Sequence, residues 1–346
     1  MLASRPLIVG VDLECLAHET GPRHPERAAR LSAVAETLVA EEAAGIVARR
    51  LPARLADLDD LLLVHPESHI RVIEAAALER RSLDPDTYLS LRSYEAGRRA
   101  AGLAVGAIDA ILGGSESRAF LATRPPGHHA LADHAMGFCL FNNIAIAAAV
   151  ARSRYDLGRV AIVDFDVHHG NGTQAIFERD PNVLFISSHQ LPAFPGSGRA
   201  TEIGAGPGVG ATLNCPLPAE TGDDVVVAFY EQVASRVLER FAPELILVSA
   251  GFDLMAGDPL AQLTVTPDGV RRIVAALVAA ADRTAGGRIA FFLEGGYDLD
   301  NLRSGVHAPC EASTAPSAPP PIAAWNPTAL GPAEAHLARW RPAFTL

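Results

Sequence analysis

A doubly wound α/β fold, one parallel sheet with helices on both faces, is predicted for this chain by three observations. Short, continuously apolar segments recur between residues 119 and 293, which is how strands buried on both faces read. Stretches of helical period separate them, as the crossovers between parallel strands require. The polar residues cluster directly after the apolar segments, where the ligand crevice of an open parallel sheet lies.

The elements follow in order. Residues 8–11 read as the first strand, and after them comes a polar loop, residues 18–27, too rich in His, Arg and Glu for a plain connector. Leu31, Val34 and Leu38 then recur at helical spacing. Residues 58–78 give further helix around His65-Pro66, and residues 93–112 a long Ala/Gly-rich helix suited to close packing on a sheet. From there the alternation is regular: strand 119–123, a loop with Arg124-Pro-Pro-Gly-His-His129, helix 142–153, strand 160–163, and strand 183–187. Helix 223–241, strand 245–249, helix 267–283 and strand 289–293 complete it. From Ala308 onward prolines fall among Ala, Ser and Thr, a composition unsuited to helix. The expected division is therefore one globular unit over residues 1–307 and a Pro/Ala-rich tail over 308–346, with one short helix at 332–340 that docks back through Trp340.

Composition narrows the function. With a net charge of −11 and no Lys/Arg-rich run, stable binding to nucleic acid or an anionic membrane is not expected; a cationic substrate is drawn to such a surface. No segment approaches an uninterrupted apolar span of about 20 residues, and the apolar run at residues 6–11 is too short for a signal peptide. The expected location is cytoplasmic. Cys15, Cys139, Cys215 and Cys310 form no C-x-x-C pair, so neither a thiolate zinc site nor a disulfide framework is indicated. The oligomeric state, homo-oligomer included, is left open.

The chemistry centres on residues 159–173, where a buried strand runs into Asp164, Asp166, His168 and His169. Extended chain sends residues i and i+2 to one side, so Asp166 and His168 can face one divalent metal. Asp253, in an apolar and Gly-rich run, supplies a third ligand and leaves an open position for water or substrate, the pattern of a catalytic zinc. Such a site suits amide hydrolysis: the metal polarises the carbonyl and acidifies water, and one of His128 and His129 moves the proton. The Tyr297 hydroxyl, beside two glycines, can donate to the oxyanion, a contribution of about 3 kcal/mol. Asp164 is placed to orient a histidine. The Asp-His-Asp set is harder than thiolate sites, so Fe2+ or Co2+ can replace Zn2+.

These residues resemble the histone deacetylase family, on the arginase–deacetylase fold, from about residue 8 to residue 306. The resemblance rests on Arg124-Pro-Pro-Gly-His-His129, Gly137-Phe-Cys139, Asp164-Phe-Asp-Val-His-His-Gly-Asn171, Ala250-Gly-Phe-Asp253 with Gly257-Asp-Pro259, and Glu294-Gly-Gly-Tyr297. It is nearest to the class II and bacterial amidohydrolase-like branches, which carry Asn where this chain has Asn171. It implies that Asp166, His168 and Asp253 bind zinc, that His128 and His129 are the acid/base pair, and that Tyr297 is the oxyanion donor. It also implies that Asp164 pairs with His128 and, with Ser187, Ser188 and backbone oxygens, holds a structural K+. Gly137, Phe138 and Phe194 match the acyl-lysine tunnel, Leu260 its rim, and Arg27 an arginine lining the cavity behind the zinc. An amide cannot stabilise an imidazolium as a carboxylate does, so His129, paired with Asn171, is the expected general base and His128 the acid or electrostatic partner.

The expected substrate is an acetylated lysine in a protein, or a similar small acylated amine. An acetylpolyamine amidohydrolase shares every catalytic residue, and Asp84 and Asp86 bear on that choice. A catalytically silent acyl-lysine binding module would be expected to lack Tyr297 or a ligand, and an arginase-like dinuclear manganese hydrolase would need further Asp and His ligands. Relatives continue after Tyr297 into a longer apolar helix, which Pro309 is expected to cut short here.

Overall fold

A computed structural model describes residues 7–314. Its centre is one eight-stranded parallel sheet. In chain order the elements are β1 (Leu7–Gly10), α1 (Ala28–Ala43), β2 (Val47–Arg50), α2 (Leu58–Leu62), α3 (Glu67–Glu79), α4 (Ser93–Leu112), β3 (Arg118–Leu121) and α5 (Asn143–Tyr155). Then follow β4 (Val160–Asp164), α6 (Asn171–Phe177), β5 (Val183–Gln190), β6 (Thr212–Leu217), α7 (Asp223–Ala228), α8 (Ser235–Phe241), β7 (Leu245–Ala250), α9 (Pro267–Thr284), β8 (Ile289–Leu293) and α10 (Leu299–Thr314).

The period-two alternation of strands divides the core into two layers. Ala161, Val163, Ile246, Val248, Ile289 and Phe291 face one side with α1, α9 and α10. Val160, Ile162, Leu245, Leu247, Ala290 and Phe292 face the other, against α4 and α5. Both faces being covered, the central strands read as unbroken apolar runs.

The two strands not expected from sequence, β2 and β6, are the sheet edges. They are less apolar for that reason. In β2, Arg49 and Arg50 pair with Glu116 and Glu42 (3.4 and 3.0 Å), charges that discourage further strand pairing. In β6, Pro216 lies opposite His189, a residue tolerated at an edge because no neighbour needs its missing N–H. Residues 58–78 divide at His65-Pro66 into α2 and α3.

The helix expected over residues 223–241 is continuous but widens in its middle turn. Residues Phe229–Ala234 are π-helical, and Ser235 Oγ donates to the Tyr230 carbonyl (2.9 Å). The bulge seats Tyr230 under the sheet, where its hydroxyl meets Ser188 Oγ (2.6 Å) and donates to the Asp164 carbonyl (3.2 Å).

Pro309 does not cut the last helix short, contrary to expectation: it lies inside α10. Proline removes one N–H and crowds the carbonyl four residues back, but tertiary contacts hold the final turn. The buried Arg118 guanidinium donates to the carbonyls of Ala312 and Ser313 (3.2 and 2.9 Å) and clasps Asp282 bidentately (2.8 Å each). The expected helix at 332–340 and the docking of Trp340 lie outside the described residues. Among the described residues no helix is long and apolar enough to cross a membrane.

Two buried histidines on or next to α3 anchor the loop that follows β3. His65 Nδ1 donates to the Ala132 carbonyl (2.8 Å) while its Nε2 accepts from the Asn142 N–H (2.9 Å), which fixes the neutral tautomer. His69 donates to the Leu140 carbonyl (2.9 Å). Burial first, then neighbouring His69, lowers His65 to a pKa of about 4; burial likewise lowers His69. The unfolded chain then binds more protons than the native one, so stability is full above the unfolded value of 6.5 and falls as pH drops towards about 4. Melting temperature should therefore decline through that window, and His65→Gln should lose part of the slope while costing roughly 1–3 kcal/mol at neutral pH.

Candidate active site

The carboxyl ends of four adjacent strands deliver the polar residues to one place. The loop after β3 brings His128 and His129, the end of β4 brings Asp164, Asp166 and His168, the end of β7 Asp253, and the end of β8 Glu294 and Tyr297. The order β3-β8-β7-β4 makes neighbours of groups far apart in the chain.

Asp166, His168 and Asp253 converge, each offering one ligand atom within 4.8 Å of the others. His168 Nδ1 stands 3.2 Å from Asp166 Oδ1 and 3.2 Å from Asp253 Oδ2. Backbone donors fix the carboxylates: Gly295 N–H to Asp166 Oδ2 (2.7 Å), His168 N–H to Asp166 Oδ1 (2.8 Å) and Val167 N–H to Asp253 Oδ1 (3.0 Å). Asp253 Oδ2, buried and aimed into the cluster, has no partner in good hydrogen-bond geometry. Glycine makes the approach possible. A Cβ on Gly251 would lie 2.0 Å from Asp166 Oδ2, and one on Gly295 2.0 Å from Asp253 Oδ2. Two carboxylates, one imidazole and an orphaned carboxylate oxygen suit a divalent cation such as zinc.

The two histidines beside the cluster have different partners. His128 Nδ1 donates to Asp164 Oδ2 (2.9 Å), and His129 Nδ1 donates to the amide oxygen of Asn171 (2.8 Å). For His128, burial opposes the charged form, but Asp164, Asp166 and Glu294 overcome it and raise the pKa to about 10. For His129, burial and then the charges on His128 and His168 push it well below the usual imidazole range. The charged form is thus favoured on His128 and disfavoured on His129, whose Nδ1–H bond to Asn171 leaves Nε2 as the free nitrogen.

A cavity of about 590 Å³ opens from this floor to solvent. Gly137, Phe138, Phe194 and Leu260 are among the residues that line it. Phe194 packs edge-on to His129 (5.0 Å) and Phe138 edge-on to Tyr297 (5.9 Å). Asp86 and the loop of residues 20–25 line the mouth. Asp84 is turned away, its Oδ1 accepting from the N–H groups of Asp86 and Thr87. Ser187 and Ser188 lie below the site: the Ser187 hydroxyl pairs with His189 Nδ1 (2.9 Å), and Ser188 with Tyr230.

Arg27 is not behind the site. It is exposed at the start of α1, where it lines a separate shallow pocket. One helical turn on, Arg30 takes that place. It donates to the carbonyls of Gly296 and Glu294 (2.6 Å each), and its guanidinium carbon lies 4.8 Å from the Tyr297 ring centroid. Sequence alone could not choose between two arginines in one loop-to-helix segment; only Arg30 falls on the buried stripe with Leu31 and Val34.

Three carboxylates were not singled out. Glu294 accepts from the N–H groups of Gly127 and His128 (2.7 and 3.2 Å) and from Ser249 Oγ (3.0 Å), locking the histidine loop onto β8. Asp258 accepts from the Tyr297 N–H (2.7 Å) and holds the tyrosine loop. Glu26 receives Arg124 Nε (2.7 Å) and Arg30 Nη1 (3.3 Å) in the buried layer beneath. The first two stood inside recognised motifs, and burial in an apolar context was the available signal.

Comparison with known proteins gives the same picture. Residues 24–312 match the histone deacetylase domain. A histone deacetylase-like amidohydrolase of Pseudomonas aeruginosa is 43% identical over 267 residues, 72% of this chain and 70% of the relative. A probable deacetylase of Archaeoglobus fulgidus is 39% identical over 291 residues, 83% of this chain and 80% of the relative. The crystal structure of the HDA15 HD domain superposes with a TM-score of 0.89 at 34% identity, covering 99% of this chain and 96% of that one.

If Asp166, His168 and Asp253 form the metal site, added Zn2+ should raise the melting temperature of the apoprotein, as any ligand of the native state does. Asp253→Ala should abolish that rise and weaken zinc binding by at least about 100-fold in calorimetric titration.

Proposed function

The chain belongs to the histone deacetylase family, a hydrolase with the deacetylase fold, and from that we propose that it is a zinc-dependent deacetylase of acetyl-lysine. The observation that carries the reading is the unequal histidine pair at the floor of an aromatic-walled cavity, beside a cluster built for a divalent cation. Zn2+ is the proposed ion, held by Asp166, His168 and Asp253, with Fe2+ or Co2+ as substitutes. When bound, it supplies Lewis acidity to an acyl carbonyl and to water.

The chain's own residues do the rest. Phe138 and Phe194 sandwich the apolar stem of the acylated amine and keep bulk water out, and Gly137 lets the stem approach. His129 Nε2 takes the proton from the attacking water, so that its oxygen joins the acyl carbon. His128, held as an imidazolium by Asp164, stabilises the negative charge that develops, and the Tyr297 hydroxyl donates to the oxyanion. The C–N bond then breaks; the proton passes to the departing nitrogen, releasing free amine and acetate. Asn171 keeps His129 in the tautomer that leaves Nε2 free. Below the floor, a structural K+ at Asp164, Ser187 and Ser188 is part of the same proposal, supported by the register that sets Ser187 opposite Asp164.

Asp86 favours a second reading, an acetylpolyamine amidohydrolase. It is the one carboxylate among the described residues lining the cavity, and a polyamine brings a further ammonium to that mouth. Leu260 and Phe194 at the rim, 39% and 43% exposed, suit the flanks of a peptide better, so the protein substrate is preferred.

Comparing kcat/KM for an acetyl-lysine peptide with that for acetylated putrescine and spermidine should show preference for the peptide. Tyr297→Phe should lower kcat by about 10²–10³-fold with little change in zinc content. Preference for the polyamines would move the substrate class to the second reading, and no turnover of any acyl amide would leave a silent binding module.

A further inference from the structure

His24 lies in the His/Arg/Glu-rich loop at the cavity mouth, and only one protonation state satisfies its contacts. Its Nδ1 is 2.9 Å from the Glu26 carbonyl oxygen and its Nε2 3.0 Å from the Asp86 carbonyl oxygen. Carbonyl oxygens only accept, and a neutral imidazole has one N–H. The neutral ring can therefore make one of the two bonds and turns a lone pair towards the other oxygen. The imidazolium makes both.

We propose that His24, as an imidazolium, is a positioning residue that clasps the loop of residues 18–27 to the segment between α3 and α4, and so sets the tunnel mouth. The inference rests on reading the cavity as an acyl-amine tunnel. The ring stands edge-on to Phe138 (4.7 Å) and to Tyr88 (5.4 Å), which transmits its position to the aromatic wall. Phe138 has φ +69°, a left-handed conformation costly for a bulky residue, and its N–H donates to Thr87 Oγ1 (3.2 Å) on the clasped segment. Opening the clasp releases one support of a strained wall.

The groups around the ring are known on each side. On its own loop stand Arg23, the buried His18, and Glu26, whose carboxylate is turned to Arg124 and Arg30. On the facing segment stand Asp86 and Asp84, the latter turned to backbone N–H groups. From the third side come the rings of Phe138 and Tyr88, which carry no carboxylate or cation.

The test joins two measurements. Imidazole 15N shifts of His24 in the wild-type protein under the assay conditions should show both ring nitrogens protonated. His24→Gln, whose amide offers one donor group and one acceptor, should raise KM for the preferred acyl amide roughly three- to tenfold, the worth of one hydrogen bond, while kcat changes little. A singly protonated ring, or a His24→Gln enzyme with the wild-type KM, would overturn the proposal. If no acyl amide is turned over, the substrate reading fails, and the 15N shifts still decide the clasp.

Discussion

Four carboxylates without access to water, Asp164, Asp166, Asp253 and Glu294, sit together at the ends of three adjacent strands, and much of the architecture answers the cost of putting them there. An isolated buried carboxylate is heavily penalised, so each must find donors or a cation. Backbone N–H groups from the loops after β3, β4 and β8 supply most of the donors. The His128 ring supplies charge, raised to a pKa of about 10 against the opposing effect of burial, and His168 Nδ1 faces Asp166 and Asp253 at 3.2 Å each. What is left over is one oxygen of Asp253, pointing where a divalent ion fits. The unequal pair follows from the same field: His128 is held charged by its carboxylate, and that charge helps to keep His129 neutral.

A second buried ion cluster supports the first from below. Glu26 joins Arg124, from the loop after β3, to Arg30, on α1, and Arg30 reaches on to the backbone of Glu294 and Gly296 and to the face of Tyr297. Removing one partner of such a cluster leaves an uncompensated charge, typically a loss of about 3–5 kcal/mol. The N-terminal segment is thereby tied to the loop that carries the tyrosine.

What could be read from sequence was what burial and period express directly. The central strands read as apolar runs because both of their faces are covered, and the candidate metal cluster announced itself through carboxylates and histidines at strand ends. The edges β2 and β6 were silent because a strand paired on one side only tolerates Arg in the one and Asn and Pro in the other, which weaken the strand pattern. Pro309 misled because local propensity omits the grip of Arg118 on the last turn. Arg27 stands where Arg30 belongs in the sequence reading because only the exact start of α1 shows that the latter is buried and the former is not. The contact of His24 with the Asp86 carbonyl joins residues 62 positions apart, a distance no local pattern reports.

The place of β8 in the sheet has a consequence for how the chain comes to fold. Among the described residues it is the last strand in chain order, yet it lies between β3 and β7, joining the β2-β1-β3 group to the β7-β4-β5-β6 group. During translation both groups can form, each with a bare apolar edge waiting for residues 289–293. Those edges invite non-native pairing until the late strand arrives. Contacts of such long sequence separation form slowly, and a nascent chain stalled shortly before β8 would expose two sticky half-sheets and no complete site.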